Sequence, residues 1–559
     1  MFIAAMALAT IVSCSKENEE SKIAPAGDQT ALITVSLKAA GEMTRADVGD
    51  YEDGLDEENA INNATFYFFD AAGKAYNVDD DNAVEVEKEV LFEAKDPKDD
   101  NIEKTSQVVL VIKQSKNTPP AKIVALLNVA NPATYAGKTL NELCTFATQY
   151  ATAVNQVDYF VMSNSVYKEG ANEVYATEIL PENIFTTSVP TGEVGSAYPA
   201  TGETADANAV PVKIYVERVA AKVRVNVSAT ADNSGAYPVL DAEGEAIDDT
   251  FVKVLGWDVT NAVAESSLMK KYAETDLFTP VNNPTFFRSY WAETIASAKP
   301  SHKFTFEDLM SANQVGEYDY YHENTLTPTN AEGWYNDVKA NENATKASQL
   351  IVATQLVDAK GDPKEFGTWY GQTYTDVAGL KSTMINNAAK KVFVKKGETE
   401  YVGITSADVD YLPVDDHTSY YDVADYKGDR RYEVYVAPAK NTKYYYPVYE
   451  ANTTEPTMTA YTDDDIAAEL KKIEPAMIWT SGYTYYYTII DHFGNADGIV
   501  RNHIYDIDIK SFNGLGTPVY DPSKVITPEK PVGQDLYNMT AQINILSWAL
   551  VSQEVNLGN

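Results

Sequence analysis

Val212-Lys213-Ile214-Tyr215-Val216-Glu217-Arg218-Val219-Ala220-Ala221-Lys222-Val223-Arg224-Val225-Asn226-Val227 alternates apolar and polar side chains. That two-residue period is the mark of a strand with one face in a core. The same period recurs on both sides of it. Ala64–Phe69 runs into Asp70-Ala71-Ala72-Gly73, a strand followed by a turn. Gln107–Lys113 and Lys122–Val129 flank Asn117-Thr118-Pro119-Pro120 and read as two core strands with a loop between them. Further strands are expected at Phe251–Val259, Gln349–Gln355, Glu433–Ala437, Tyr483–Ile490 and Ile504–Ile509. Helical spacing is confined to Leu140–Val154, Asp376–Lys390 and Asp464–Lys472. Many short strands, Gly/Pro/Asn/Asp turns and few helices predict a mainly β fold of sandwich architecture.

Ahead of the first core strand lie two processing signals in series. Residues 1–14 (MFIAAMALATIVSC) are a short apolar run ending in Ile11-Val12-Ser13-Cys14, and Ser15-Lys16-Glu17-Asn18-Glu19-Glu20 follows. The run is far shorter than the roughly 20 residues needed to span a bilayer. Its layout is that of a bacterial lipoprotein signal, with cleavage before Cys14 and lipid on that cysteine. No Lys or Arg precedes the run, and an upstream start would supply one. Downstream, Thr30-Ala31-Leu32-Ile33-Thr34-Val35-Ser36-Leu37-Lys38 alternates as a strand and is followed by an isolated basic site, Thr44-Arg45-Ala46. A strand with a protease site behind it predicts a protein delivered in one form and used in another.

The other end of the chain has a matching feature. Pro518, Pro522, Pro528 and Pro531 punctuate a semi-extended tether, and a strand-forming tail begins at Met539. Ile543 and Ile545 share one face of it. After a break near Leu546-Ser547, Trp548 and Leu550 share the other. The plain alternative is that the tail is the last strand of its own sandwich. Between the ends, the loop-rich stretch 187–210 is the best domain boundary.

Composition limits the function. The 559 residues carry 44 Lys+Arg against 82 Asp+Glu, a formal charge of −38. Such a field repels nucleic acid, which is excluded as a partner. With aromatics at 11%, the acidity marks a solvated surface rather than disorder. Cys14 and Cys144 are the two cysteines, so once Cys14 carries lipid no disulfide framework is available.

Catalytic patterns are missing. The sequence has no GxSxG elbow, P-loop, HExxH or CxxC. His302, His322, His417, His492 and His503 do not fall at a ligand spacing. Asp79-Asp80-Asp81-Asn82 and Asp463-Asp464-Asp465 lack the spaced pattern and central Gly of a calcium loop and read as solvated loops. No enzyme activity, cofactor or metal is expected. Tyr444-Tyr445-Tyr446 and Tyr483, Tyr485, Tyr486 and Tyr487 have the chemistry to stack on sugars, but read first as sheet residues with a wet hydroxyl.

Taken in order, several segments resemble the Bacteroidales fimbrillins, the shaft subunits of type V pili, of the minor-fimbria kind. These are the lipobox at Cys14, the strand Ala64–Asp70, Val161-Met162-Ser163-Asn164, Val216–Val223 and Gly256-Trp257-Asp258-Val259-Thr260-Asn261. Arg288-Ser289-Tyr290-Trp291, His322-Glu323-Asn324-Thr325 and Arg501-Asn502-His503-Ile504-Tyr505 complete the series. The resemblance implies two tandem transthyretin-like β-sandwich domains. It divides the chain into a signal (1–14), a propeptide with a removable strand (15–45), a sandwich at 46–212, a second at 213–538 with insertions, of which 310–350 and the Tyr-rich 440–450 are the candidates, and a donor tail (539–559).

The same resemblance implies a mechanism. The subunit reaches the outer membrane as a lipoprotein, a maturation protease cuts between Arg45 and Ala46, and the first strand departs with Ile33, Val35 and Leu37. A neighbouring subunit's tail then fills the groove, with Ile543, Ile545, Trp548 and Leu550 as the candidate plugs. Four or five large apolar side chains contribute roughly 6–15 kcal/mol gross, before ordering costs. Head-to-tail addition is heterologous and open, so it builds a filament at the cell surface. Expected partners are identical subunits, accessory tip and anchor subunits, the protease, and host or bacterial surface receptors. The competing expectations are a glycan-binding surface lipoprotein that keeps Cys14, and a tip or anchor subunit of the same pilus.

Overall fold

The structure, a computed structural model, describes residues 29–40, 54–93, 102–114, 118–154, 157–169, 172–185, 194–199, 210–272, 287–295, 304–326, 348–370, 372–414, 433–451, 455–493, 496–519, 522–523, 526, 538–546 and 552–553. They form a mainly β protein, as the alternation predicted, built around two large sheets.

The amino-terminal sheet runs in the order Ala197–Pro199, Ile102–Gln114, Gln29–Ala40, Val212–Arg218, Met162–Asn164, Lys122–Leu127, Asn63–Phe69, Ala83–Glu87. Its two faces bury separate apolar clusters. One gathers Phe66, Phe68, Val108, Leu110, Ile123 and Ile214. The other gathers Tyr67, Phe69, Val124, Leu126 and Val129. A sheet covered on both faces explains why Asn63–Phe69 and Lys122–Leu127 are nearly continuously apolar.

The alternating segment Val212–Val227 is divided between the two sheets. Val212–Arg218 belongs to the first, and Ala220–Val227 belongs to the second. The turning point is Val219, whose N–H donates to Val161 O at 2.9 Å. The second sheet has the order Tyr318–His322, Ala220–Val227, Ile504–Asn513, Tyr237–Leu240, Ala246–Thr260, Gln349–Val357, Tyr483–Ile489, Thr517–Pro518. Its core contains Val223, Val225, Trp257, Tyr486, Tyr505 and Ile507. Gly256 lets Phe306–Met310, a helical turn the sequence reading did not anticipate, lie against this sheet. A Cβ at Gly256 would stand 2.3 Å from Leu309 O.

Gln349–Val357 and Tyr483–Ile489 are neighbours in the sheet, yet a whole lobe is inserted between them. The lobe holds the strands Phe366–Trp369, Val409–Val414, Glu433–Pro438, Tyr444–Val448 and Ala476–Trp479 and the helices Val377–Ile385 and Asp463–Leu470. Its core is its own, around Leu380, Val394, Val436, Leu470 and Ile478.

One expected helix is much shorter in the structure. Leu140–Val154 is helical only over Leu140–Leu143. Thr139 and Glu142 cap it reciprocally, Glu142 N–H donating to Thr139 Oγ1 and Thr139 N–H to the Glu142 carboxylate. Beyond it, β-branched Thr148, Thr152 and Val154 lie in strands. Ala151–Val154 pairs with Val157–Phe160, and Ala147–Thr148 with Ser266–Ser267.

Candidate functional site

Gln29–Ala40 is an interior strand. On one side it runs antiparallel to Ile102–Gln114 along its full length, with Ile33 opposite Leu110, Val35 opposite Val108 and Leu37 opposite Ser106. On the other it runs parallel to Val212–Arg218, with Val35 opposite Val212, Leu37 opposite Ile214 and Ala39 opposite Val216. Residues directly opposite in a sheet share a face, and Val108, Leu110, Val212, Ile214 and Val216 all belong to one core cluster. Val35 is wholly buried in that cluster. The register fixes the backbone partners of positions 33, 35 and 37, and of these three side chains Val35 is the described one. The side chains of Ile33 and Leu37 lie outside the described residues, as do Cys14, Arg45 and Ala46 altogether.

The tail strand Asn538–Leu546 runs antiparallel to Ile504–Asn513 of its own chain, with Ile543 opposite Ile507 and Ile545 opposite Tyr505. Ile507 and Tyr505 are both fully buried. In the single chain the tail strand lies between Ile504–Asn513 and the short strand Ser552–Gln553, and so forms part of its own sheet. The side chains of Ile543 and Ile545, and Trp548 and Leu550 entirely, lie outside the described residues.

Between strand slot and tail seat lies a cluster of buried polar groups. Lys222 Nζ donates to Glu58 Oε1 at 2.7 Å, and the Tyr320 hydroxyl donates to the same oxygen. Arg218 Nε donates to Glu58 O at 2.9 Å and Nη1 to Asn502 Oδ1 at 3.1 Å. Lys270 Nζ donates to Glu217 Oε2 at 3.0 Å and to Ser289 O at 2.7 Å. Arg501 donates to Ser267 O at 2.6 Å and to Ser267 Oγ at 2.9 Å, and pairs with Glu323 at 3.4 Å. Asn324 Nδ2 donates to Asn261 O at 2.8 Å. Every short segment from Val161–Asn164 to Arg501–Tyr505 that carried the resemblance beyond the first strand meets here. Their dispersal in sequence hid a common location.

Three histidines join them. A carbonyl can only accept, so His492 Nε2 donates to Tyr290 O at 2.6 Å and its Nδ1 accepts from the Tyr505 hydroxyl at 2.8 Å. His503 Nδ1 donates to Arg501 O at 2.7 Å. Burial, aided by the Arg501 charge, pushes His322 down to about 4. Burial pushes His492 down to about 3, and Lys270 adds to the effect. Burial holds His503 well below its usual range, with His492 and Lys270 adding to it. Burial also lowers Lys270, against the pull of Glu217 and Glu323. Among the described residues, no group of three His, Cys, Asp or Glu is arranged to hold a metal ion.

The remaining sequence candidates have packing roles. Tyr485 and Tyr486 are buried, and the Tyr486 hydroxyl donates to Gly514 O at 2.6 Å. Tyr444 is buried, while Tyr445 and Tyr446 pack against Tyr401 and Tyr461. Asp463, Asp464 and Asp465 form the first turn of a helix, where negative charge is favourable. Cys144 is a free thiol pushed up to about 11 by burial, with Glu173 adding to it.

No curated protein matches the chain in sequence. Among solved structures it is similar to a fimbrilin from Porphyromonas gingivalis, at 14% identity over 93% of this chain and 98% of that one, with a TM-score of 0.31. It is also similar to the C-terminally truncated tip fimbrial protein Mfa3 of the same organism, at 12% identity over 92% and 99%, TM-score 0.28. A fimbrial assembly protein from Parabacteroides distasonis is similar at 9% identity over 94% and 100%, TM-score 0.30. Residues 477–554 match the family model of the major fimbrial subunit protein type IV, fimbrillin, C-terminal region. The matched region holds both the Ile504–Asn513 strand and the tail strand Asn538–Leu546 paired to it, so the likeness to the fimbrillin model rests on this part of the chain.

Proposed function

We propose that the chain is a structural subunit of a cell-surface fimbria, exported as a lipoprotein on Cys14, cut between Arg45 and Ala46, and polymerised by strand exchange. The observation that carries this reading is the place of Gln29–Ala40, an interior strand flanked by backbone partners on both sides. The predicted cut lies immediately beyond it, so its loss leaves a slot bordered by Ile102–Gln114 and Val212–Arg218, each with an unpaired edge. Such a slot takes an extended strand, main-chain hydrogen bonds supplying affinity and alternate side chains supplying specificity. The tail of a second copy is the strand assigned to it. Before the cut, the chain's own strand occupies the slot at a high effective concentration and blocks assembly. The fimbrillin match over residues 477–554 supports the fimbrial part of this reading. No catalytic step is assigned to the chain.

The test is the amino-terminal sequence and mass of the protein recovered from the cell surface. A start at Ala46 without lipid is expected. A start at acylated Cys14 as the sole species overturns the reading in favour of an anchored monomer. An Arg45→Ala variant should be exported, lipidated and folded yet stay monomeric. Normal filaments from it would remove the cut as the switch.

A further inference from the structure

The strand slot and the tail seat lie on different sheets, and the route between them is short. Val212–Arg218 borders the slot. Ala220–Val227 continues the same chain into the second sheet and pairs in parallel with Ile504–Ile509, which belongs to the strand that seats the tail. At the turn between the two halves, charged groups are taken out of water in opposed pairs. Glu217 precedes the turn and holds Lys270, with both side chains 2% exposed or less. Lys222 follows it and holds Glu58, at 5% and 1%. Arg501 holds Glu323 with both fully buried. Buried ion pairs of this kind add little net stability over apolar side chains of the same volume. Their geometry is nevertheless demanding, because a displaced partner leaves a charge in a low-dielectric interior. Stability alone therefore does not account for three such pairs at one turn.

We propose that this cluster is a geometric joint that fixes the angle between the slot-bearing and tail-bearing sheets, and thereby sets the rise and twist of the filament. The proposal rests on the strand-exchange reading above. In a head-to-tail polymer, each subunit's placement follows from where its slot lies relative to its tail. A joint that tolerates several angles yields a filament of irregular twist, whereas a single-angle joint yields a regular one.

The test uses E217M/K270M, which removes one buried pair while keeping its volume and so should keep the fold. Nitroxide labels are placed on the full chain through E85C and K253C, exposed positions on the two sheets, in a C14S/C144S background. Their distance distribution should be narrow with the native joint and broad with E217M/K270M, and filaments of the variant should lose uniform twist. An unchanged narrow distribution overturns the proposal, as does a broad one with native filament twist. If E217M/K270M fails to fold, E58Q/K222M tests an independent pair of the same joint with the same readouts. If the native chain makes no filaments after cutting, the fimbrial reading fails, while the label distances still decide whether the cluster fixes the angle.

Discussion

Lys222 Nζ stands 2.7 Å from Glu58 Oε1 across 164 residues of sequence, with both side chains buried. The contact ties the loop ahead of Asn63–Phe69 to the second sheet. Burial works to raise the Glu58 carboxyl. Hydrogen bonds from Lys222 and Tyr320, with the charges of Lys222 and Arg218, outweigh it and hold the group below its usual range. Removing one partner strands the other, so Glu58→Ala should cost about 3–5 kcal/mol. Replacing both, as in Glu58→Gln with Lys222→Met, should recover most of that loss. Urea unfolding of the three proteins measures both quantities. A double variant no more stable than Glu58→Ala would mean that the pair's charges are not what the loss reflects.

Acid should loosen the same region. His322, His492 and His503 are held neutral by burial, with folded values depressed to about 4, about 3 and well below the ordinary range. The unfolded chain takes up protons below about pH 6.5, where the folded one refuses them. Stability is therefore complete above that value and falls as pH drops, down to about 4 for His322 and about 3 for His492. Each histidine contributes a slope of about 1.4 kcal/mol per pH unit within its window. Denaturant midpoints from pH 7.5 to 5.0 should show the decline, and His322→Phe should reduce its slope by one proton. A flat profile over that range would contradict the neutral, buried state of all three.

How much of this was legible in sequence depends on the range of the forces involved. Alternation is local, so Val212–Val227 and Thr30–Lys38 could be read as strands directly, and Ala64–Phe69 as a short apolar run closed by a turn. A charged residue within an alternating strand reads as solvent-facing, and for Glu217 and Lys222 that expectation fails. Their burial depends on Lys270 and Glu58, which lie 53 and 164 residues away, and no local pattern reports such partners. The helix over Leu140–Val154 failed similarly. Thr139 and Glu142 supply a true start signal, but pairing of Ala147–Thr148 with the distant Ser266–Ser267 overrode the spacing that followed. Insertions are expected within 213–538, with the Tyr-rich 440–450 as one of them, but the extent of the lobe is not legible because its flanking strands, Gln349–Val357 and Tyr483–Ile489, are adjacent only in space.

The leader strand offers a variant that separates the two forms of the protein. Val35 is wholly buried between Val108 and Val212, so Val35→Ala should destabilise the uncut chain by about 1–3 kcal/mol through lost burial and the cavity left behind. Once the strand has been cut away, residue 35 is no longer part of the subunit. Thermal unfolding of the uncut variant should shift downward, while cut variant and cut native protein should melt together. A persistent difference after cutting would show that the strand does not leave.

Ending the chain at Tyr537 gives the most discriminating assembly experiment. The truncated subunit keeps Ile102–Gln114 and Val212–Arg218, the two borders of the slot, and loses the strand that pairs with Ile504–Asn513. It should fold with lower stability, because Tyr505 and Ile507 lose their outer neighbours, Ile545 and Ile543. After cutting, it should accept a neighbour's tail and donate none. Mixed with full-length subunits it should therefore end filaments, shortening them in proportion to its share, as measured by electron microscopy. Filaments of undiminished length in such mixtures, with the truncated chain built into them, would mean that elongation runs through some surface other than the tail. The direction of the effect separates the two roles of the strand: a tail that only completes its own sheet would lower stability without terminating growth.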